Sequence, residues 1–495
     1  MQAPNYLKIN KLDNVAVALT DLTSNTVVEI DGKSVTLVDD IARGHKFALC
    51  DIATDAMVIK YGFPIGHATC PIKAGEWVHT RNLKTNLSGE LEYTYTPKFP
   101  EVEKAQTIPT FKGFRRPDGE VGVRNELWII PTVGCVNKTA ELLSKQYKVK
   151  ASNVTGAYAF THPYGCSQLG EDHENTRQIL ANLVRHPNAA GVLVVALGCE
   201  NNTLDDFKVA IGDIDPNKVR YMTVQQEEDE IAKGIELLTE LEEYAATFNR
   251  EDIPVSELRV GLKCGGSDGL SGITANPLVG AFSDKLISMG GSTVLSEVPE
   301  MFGAETLLMD RCQTKEIFDD CVNMVNGFKD YFIRHNQVVY ENPSPGNKAG
   351  GISTLEEKSL GCTQKGGMGI VVDVLKATDT LKEKGLNLLT GPGNDMVAVT
   401  GLTAAGAHLI LFTTGRGTPL GAPAPTIKMA TNSELANKKK NWIDFNAGTL
   451  VEGETMDSAC ERFFQEVIEI ASGKETQSEK YGYREIAIFK DGVTL

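Results

Sequence analysis

A buried strand, a glycine-rich loop, a helix and a second buried strand follow one another between residues 258 and 298. Residues 258–262 and 292–298 are short apolar runs, and 278–289 has helical character. This order is typical of a parallel α/β sheet, because parallel strands need a crossover connection between them. The loop, 264–277, contains four glycines, which let backbone approach a ligand and let amides face an anion at the helix start. The same pattern is also typical of a tight connection that binds nothing.

The alternation of strands and helices extends over most of the chain and predicts an α/β fold with two parallel-sheet domains. For the middle α/β domain, 111–250, the predicted strands are 127–132, 154–160, 191–197 and 219–224, and the predicted helices are 138–147, 173–185 and 227–246. For the C-terminal domain, 251–495, the predicted strands are 258–262, 292–298, 369–374, 387–389, 408–413 and 426–430, with 485–489 as an added edge strand.

The first 82 residues have a different pattern of short alternating strands separated by turns. Asp31-Gly32 lies between two such strands, which is a hairpin signal. Residues 1–82 are therefore predicted to form a compact β domain. Residues 83–110 are polar, contain three prolines and show no periodicity, which predicts an extended linker.

Charge and composition limit the classes of partner. The chain has 495 residues, a net charge of −16 and a pI near 5.1, so neither nucleic acid nor an anionic membrane is expected as a general partner. A small anionic substrate would need cationic groups concentrated locally. No signal peptide or membrane span is visible, and ten cysteines in a chain this long suit a reducing cytoplasm. We therefore expect a cytoplasmic protein.

Four cysteines follow predicted strands directly. Cys135, Cys166 and Cys199 follow three strands of the middle domain, and Cys264 follows the strand that opens the C-terminal domain. Ligand sites in open α/β sheets lie beyond the carboxyl ends of the strands. The positions therefore indicate an iron or iron–sulfur site with thiolate ligands. Chance placement of unreactive thiols in loops explains the same pattern.

Three further groups are candidate substrate ligands or catalytic groups. Arg416, between glycines after the strand 408–413, suits bidentate binding of a carboxylate, or it braces its own loop. The loop 342–351 contains Asn347 and Lys348 and acts either as a lid or as a simple connection. Lys428, near the end of a strand, is a weaker candidate.

Two histidines are candidate proton carriers. His45 lies in a turn with Arg43 and Lys46, and His162 precedes the Cys166 turn. Histidine is the side chain best suited to exchange protons near neutral pH, although a histidine with a purely structural role is more common.

These stretches together resemble the altronate/galactarate dehydratase family. The resembling stretches are Ala42-Arg43-Gly44-His45-Lys46, residues 122–127, Tyr164-Gly165-Cys166, Gly198-Cys199-Glu200, residues 264–277, 342–348 and 413–419, and the end of the chain, 485–495. The resemblance implies an N-terminal SAF (β-clip) domain, a middle α/β domain that forms a homodimer, and a C-terminal Rossmann-like domain with a metal site. It also implies iron-dependent dehydration of a sugar acid.

The reaction expected from this resemblance is dehydration of D-altronate to 2-dehydro-3-deoxy-D-gluconate, with galactarate as the alternative substrate. Removal of the C2 proton and loss of a hydroxide need an electrophile, a base and an acid. We expect Fe²⁺, replaceable by Mn²⁺, or alternatively an iron–sulfur cluster, on Cys135, Cys166, Cys199 and Cys264. A second arrangement places Fe²⁺ on oxygen ligands such as Asp268 and Glu297.

The remaining expected roles concern the substrate. Arg416 would hold its carboxylate, together with Ser267, Asp268, Asn347 and Lys348, while His45, His162 and Lys428 would serve catalysis. Two other functions are less favoured. A non-catalytic sugar-acid sensor would need no redox-active metal, and a nicotinamide-dependent oxidoreductase would need a dinucleotide fingerprint that the 264–277 loop does not provide.

Overall fold

The N-terminal domain of the computed structural model, which describes residues 4–101 and 104–495, consists of three small antiparallel sheets. Residues 1–3 of the predicted β domain and 102 and 103 of the predicted linker lie outside the described residues. The strands are β1 (Tyr6–Leu7), β2 (Val15–Ala18), β3 (Val27–Ile30), β4 (Lys33–Thr36), β5 (Lys46–Ala48), β6 (Met57–Lys60), β7 (Phe63–Ala68), β8 (Trp77–Val78) and β9 (Leu83–Lys84).

The predicted hairpin of this domain is confirmed. Strands β3 and β4 pair antiparallel with Ile30 opposite Lys33. Asp31 and Gly32 between them have φ angles of 52° and 72°, and a two-residue hairpin turn with both φ angles positive matches the twist of the strands.

The segment that follows β9 is irregular, as expected, but it is not a free tether. The Lys98 ammonium lies 2.7 Å from the Asp310 carboxylate, and the Tyr95 hydroxyl donates to the carbonyl of Cys312 at 3.0 Å. The segment thus runs along the C-terminal domain before the next strand begins at Thr110.

The middle domain contains a four-stranded parallel sheet, as predicted. Its spatial order is β13-β12-β14-β15, and a small antiparallel sheet of β11, β10 and β16 joins the start of the domain to its end. The strands are β10 (Thr110–Arg115), β11 (Val121–Gly122), β12 (Glu126–Pro131), β13 (Ala157–Ala159), β14 (Ala189–Ala196), β15 (Val219–Thr223) and β16 (Glu251–Pro254). The helices are α1 (Asn137–Gln146), α2 (Gly170–Arg185), α3 (Leu204–Ile211) and α4 (Glu230–Ala245).

The C-terminal domain is built on a seven-stranded parallel sheet, which confirms the predicted Rossmann-like α/β class. Its order is β19-β20-β18-β17-β21-β22-β23. The strands are β17 (Arg259–Cys264), β18 (Ser292–Leu295), β19 (Val371–Leu375), β20 (Leu386–Leu389), β21 (Leu409–Thr414), β22 (Thr426–Ala430) and β23 (Phe445–Asn446). The helices are α5 (Ala275–Ser288), α6 (Glu305–Met309), α7 (Lys315–Arg334), α8 (Pro345–Ala349), α9 (Leu355–Cys362), α10 (Asp395–Ala404), α11 (Ser433–Lys438), α12 (Met456–Ala471) and α13 (Gln477–Lys480).

The predicted edge strand at 485–489 is wrong. Residues 485–489 form no strand and pair with no sheet of the described residues. Ile486 and Ile488 instead pack into the core of the middle domain, and the amide of Ala487 donates to the Thr400 hydroxyl at 3.0 Å. The alternating apolar residues of this segment are buried against helices. Such burial produces the same alternating sequence pattern as a half-buried strand, and this is why the prediction failed.

The N-terminal domain docks on the C-terminal domain through a buried ion triad. The Glu357 carboxylate forms ion pairs with the ammonium groups of Lys46, at 2.8 Å, and Lys60, at 2.7 Å. All three side chains are about 1% exposed. Ala304 and Leu360 of the C-terminal domain complete an apolar cluster of the N-terminal domain beside the triad. The N-terminal domain is therefore fixed in place. No helix in residues 4–101 and 104–495 is long and apolar enough to cross a membrane.

Candidate active site

A cleft of about 350 Å³ opens between the N-terminal and C-terminal domains. The turn of Arg43 and Gly44 forms one wall, and loops that carry Asp268, Gly350 and Arg416 form the others. Strands β17 and β21 are neighbours in the sheet of the C-terminal domain, and the loops that carry Asp268 and Arg416 begin at their carboxyl ends. Four of the stretches noted in the sequence, although more than 370 positions apart at their extremes, thus meet at one place.

Glycines at this junction allow one backbone to touch another. A Cβ atom on Gly269 would lie 1.9 Å from the carbonyl oxygen of Gly44, and one on Gly351 would lie 2.3 Å from the same oxygen. The amide of Gly269 donates to the carbonyl of Gly350 at 2.7 Å. The glycine-rich loop is therefore needed for contact between the domains, which differs from the phosphate-cradle function that such loops often have.

Asp268 supplies a carboxylate to the cleft wall. It accepts hydrogen bonds from the hydroxyls of Ser271 and Thr431, each at 3.0 Å, and from the amide of Leu270 at 3.2 Å. Burial raises the pKa of Asp268, although these donors and the charge of Arg43 oppose the shift. A carboxyl group with a raised pKa is better matched to proton exchange near neutral pH.

The cleft is rich in cations although the chain is acidic. Arg416 is exposed, and among residues 4–101 and 104–495 its guanidinium makes one long contact, of 3.4 Å, with the carbonyl of Gly346. Lys438 and Lys439 line the same opening. The guanidinium of Arg43 lies 3.6 Å from Glu434 at the mouth, and its buried Nε has no hydrogen-bond partner within the part of the chain that the structure describes.

Arg43 was not among the predicted site residues. Its only sequence signal was its position beside Gly44 in the stretch 42–46, and nothing in that stretch shows that it faces Arg416 across a domain boundary.

His45 lies at the back of the same turn, but both its ring nitrogens are engaged. The indole N–H of Trp77 donates to Nδ1 at 3.1 Å, and Nε2 contacts the carbonyl of Ala349 at 3.3 Å. Burial lowers the pKa of His45, and the nearby Lys46 adds to this effect. The neutral ring with a proton on Nε2 therefore orients the loop that carries Ala349.

Ser267, Asn347 and Lys348 lie around the cleft rather than on its wall. The amide of Asn347 donates to the carbonyl of Ser267 at 2.8 Å, and its oxygen accepts from the backbone of Ser344 at 3.1 Å. The Ser267 hydroxyl points to Cys264 Sγ at 3.7 Å. Lys348 is half-buried on α8 and does not line the cleft. As placed, Asn347 fixes the relative position of the two loops.

A buried set of two thiols and a carboxylate lies directly beneath the 264–268 loop. Cys264 Sγ is 3.2 Å from Cys362 Sγ and 3.4 Å from Glu300 Oε2, and Cys362 Sγ is 3.1 Å from the same oxygen. In residues 4–101 and 104–495 this is the one group of three or more histidine, cysteine or acidic ligand atoms that lie mutually within 4.8 Å. Cys362 and Glu300 were not predicted, because no sequence spacing links them to Cys264.

Lysines balance the acidic side chains around this set. Lys358 lies 2.8 Å from Glu300, Lys365 lies 3.1 Å from Glu297, and Lys263 contacts both Glu297 and Asp395. Burial raises the pKa of Glu300, but the lysines outweigh it and hold the value at about 2. Three ammonium groups thus face three carboxylates. Glu297 bonds to lysines, so its oxygens are already occupied.

Cys135, Cys166 and Cys199 lie elsewhere, on the carboxyl edge of the middle-domain sheet, and all three are exposed. None of them lines the cleft or contacts the Cys264 group. The four predicted cysteine ligands therefore form two separate groups, because Cys264 belongs to a different sheet.

His162 and Lys428 are both buried away from the cleft wall. His162 Nε2 contacts the carbonyl of Pro131 at 2.8 Å, its Nδ1 accepts from the amide of Tyr164 at 3.2 Å, and burial lowers its pKa to about 4. Lys428 contacts the Leu420 carbonyl and lies 3.1 Å from the Ser478 hydroxyl, and burial lowers its pKa to about 8. Both side chains hold neighbouring backbone segments together.

Comparison with known proteins covers nearly the whole chain. Residues 4–86 match the Altronate/galactarate dehydratase SAF domain, 113–246 match the second domain of D-galactarate dehydratase/Altronate hydrolase, and 255–494 match the D-galactarate/Altronate dehydratase C-terminal domain.

Several full-length proteins are similar to this chain. Altronate dehydratase of Escherichia coli is 57% identical over 493 residues, which cover 99% of this chain and 100% of that protein. Altronate dehydratase of Bacillus subtilis is 55% identical, with 99% and 100% covered. Galactarate dehydratase (L-threo-forming) of E. coli is 34% identical, with 98% and 96% covered. With all three domains matched and relatives that align from end to end, the chain belongs to the altronate/galactarate dehydratase family.

Proposed function

We propose that this chain is a hydro-lyase that converts D-altronate to 2-dehydro-3-deoxy-D-gluconate and water in the cleft between its SAF and C-terminal domains. The observation that carries the proposal is the convergence of Arg43, Asp268 and Arg416 in one cationic cleft of an acidic chain. Two relatives of more than half identity are named altronate dehydratases.

The cleft side chains divide the chemistry among them. Arg416 and Arg43 hold the substrate carboxylate, and their positive charge stabilises the enediolate that forms when C2 loses its proton. Asp268 Oδ takes that proton as the general base. The C3–O bond then breaks, and the hydroxide leaves as water with the proton that Asp268 took from C2. The resulting enol gains a proton at C3 and becomes the 2-keto product without further help.

Iron fits the buried group of Cys264, Cys362 and Glu300. Thiolate sulfurs at about 2.3 Å from a tetrahedral ion are separated by about 3.8 Å, and the Sγ atoms of Cys264 and Cys362 are 3.2 Å apart. Glu300 Oε2 lies 3.4 Å and 3.1 Å from these two sulfurs and supplies the third ligand atom. Two sulfur donors favour Fe²⁺ over Mn²⁺. An ion held there would tie Cys264, at the start of the loop that carries Asp268, to Cys362 and Glu300. Binding of M²⁺ with release of two thiol protons leaves the net charge of the group unchanged.

Altronate is favoured over galactarate as the substrate by the charge at the cleft mouth. Glu434, whose side chain is 76% exposed, stands beside Arg43. An aldarate would bring a second carboxylate towards it, and like charges disfavour binding. We expect turnover of D-altronate by the iron-loaded reduced protein and little with galactarate. A sugar-acid sensor would bind altronate without forming a keto acid. The homodimer and the cytoplasmic location stay predictions.

Arg416→Lys is expected to lower kcat/KM for altronate by about 10- to 150-fold, with most of the effect in KM. The loss of one arm of a charge-assisted bidentate contact costs roughly 1.5–3 kcal/mol. Arg462→Lys, at an exposed arginine of α12 that pairs with Glu454, is the matched control and should leave kcat/KM unchanged. A lower melting temperature of Arg416→Lys with unchanged kcat/KM per folded molecule would mean that Arg416 only braces its loop.

A further inference from the structure

The three exposed cysteines of the middle domain are carried by three neighbouring parallel strands. Strand β12 lies between β13 and β14. Cys135 follows β12 in a short 3-10 turn, Cys166 follows β13, and Cys199 follows β14. The carboxyl ends of neighbouring parallel strands meet at one edge of the sheet, so the three thiols share one rim.

Backbone hydrogen bonds join the three loops to one another. The amide of Gly134 donates to the carbonyl of Tyr164 at 2.8 Å, and the amide of Asn202 donates to the carbonyl of Gly165 at 2.9 Å. Gly165 is required at its position, because its φ is +95° and a Cβ atom would lie 1.9 Å from the carbonyl of Thr132. The loops next to the thiols are therefore fixed in a close arrangement.

The buried carboxylate of Glu200 strengthens this arrangement. It accepts from the hydroxyl of Thr132 at 2.6 Å and from the amides of Leu197 at 3.0 Å and Gly198 at 2.6 Å. A buried side chain thus holds the end of β12 and the turn before Cys199 together, while the thiol itself is exposed. This leaves the sulfur atoms accessible on a rigid support.

Side-chain donors are directed at two of the sulfurs. The Gln225 amide donates to Cys199 Sγ at 3.4 Å, and the Ser167 hydroxyl lies 3.8 Å from Cys166 Sγ. Hydrogen bonds to sulfur ligands stabilise thiolates and tune the reduction potential of iron–sulfur centres. A thiol without a metal gains little from such donors, because sulfur is a weak acceptor.

We infer that Cys135, Cys166 and Cys199 bind a [4Fe–4S] cluster, each thiolate to one iron, with the fourth iron open to water or another oxygen ligand. A single ion would need the three Sγ atoms within about 4 Å of one another, whereas among the described residues only the Cys264 group lies mutually within 4.8 Å. A cluster with one iron for each thiolate accepts a wider spacing. Assembly of the cluster from two Fe²⁺, two Fe³⁺ and four sulfides releases three thiol protons and needs no oxidant. The inference does not depend on the reaction in the cleft.

The test is anaerobic reconstitution of the full chain with equal amounts of Fe²⁺ and Fe³⁺ and with sulfide, read out on resting protein. We expect about four acid-labile sulfides per chain and the broad visible absorption of a thiolate-bound cluster. Cys199→Ser should lose both while keeping its circular dichroism and melting temperature. Cys362→Ser is the matched control: it removes a ligand of the buried group and should keep the sulfide and the visible absorption.

A second variant tests the side-chain donor separately. Gln225→Leu removes the hydrogen bond to Cys199 Sγ and should lower the reduction potential of the cluster without changing its sulfide content. The inference is overturned if the wild type binds no sulfide, or if Cys135→Ser, Cys166→Ser and Cys199→Ser together retain it. Loss of the sulfide and absorption in Cys362→Ser but not in Cys199→Ser would place the cluster at the buried group and would also overturn it.

Discussion

Asp268→Asn is expected to lower kcat for altronate by about 10²- to 10⁴-fold, which is the contribution that a positioned general base makes. Asparagine has nearly the same shape and can still accept from Ser271 and Thr431. It cannot take the C2 proton. KM and the melting temperature should therefore change little.

The pH profile gives a second readout of the same role. The base acts when it is deprotonated, and burial raises the pKa of Asp268. The activity of the wild type should therefore fall on the acidic side as Asp268 gains a proton, and the variant should lack this acidic limb. Thr431→Val, which removes one donor to the carboxylate and leaves the base in place, is the control and should keep most of kcat. Retention of more than half of kcat in Asp268→Asn would assign the base to another residue.

Glu357→Gln is expected to destabilise the docked SAF domain by roughly 3–5 kcal/mol, because the change leaves Lys46 and Lys60 buried with no countercharge. The melting temperature should fall, and kcat/KM should fall with it, because Arg43 lies on the docked domain. Asp51→Asn, in an exposed pair with Lys73, is the control and should change neither. An unchanged melting temperature in Glu357→Gln would mean that the triad does not hold the domains together.

The same triad predicts a pH dependence of stability. Burial favours the neutral acid, but the charges of Lys46 and Lys60 outweigh it and hold the pKa of Glu357 at about 2, below its ordinary value of 4.5. A depressed carboxyl pKa contributes stability that is present above pH 4.5 and is lost as the pH falls towards 2. Thermal unfolding of the wild type should show this loss, and unfolding of Glu357→Gln should show less of it.

Strands and turns whose conformation is determined by their own residues could be predicted from the sequence. The buried runs that became β14, β17 and β21 are short, apolar and bounded by turn residues, and the Asp31-Gly32 turn has a strict conformational requirement. Helix α3 and strand β10 are among the elements that were not predicted, as are the long helices α7 and α12 of the C-terminal domain. Residues 204–211 form only two turns of helix, and β10 becomes a strand by pairing with β16, which is about 140 positions away.

The candidate site was only partly predictable, because it depends on contacts between domains. Arg416 and Asp268 could be found from their own strand ends. Arg43 could not, because it is carried by another domain, and the position of that domain depends on Glu357, which no local pattern distinguishes. The strand-end rule likewise identified four cysteines and assigned Cys264 to a different domain from the other three. The expected ligand set still joined all four, because a sequence does not show which sheet edges coincide.

The most direct test of the cleft as the substrate site is a crystal structure of the Asp268→Asn variant with D-altronate bound. This variant should bind the substrate without converting it. We expect the substrate carboxylate between the guanidinium groups of Arg43 and Arg416, with the C2 hydrogen directed at position 268. Altronate bound at the rim of Cys135, Cys166 and Cys199, with the cleft containing only solvent, would contradict the account.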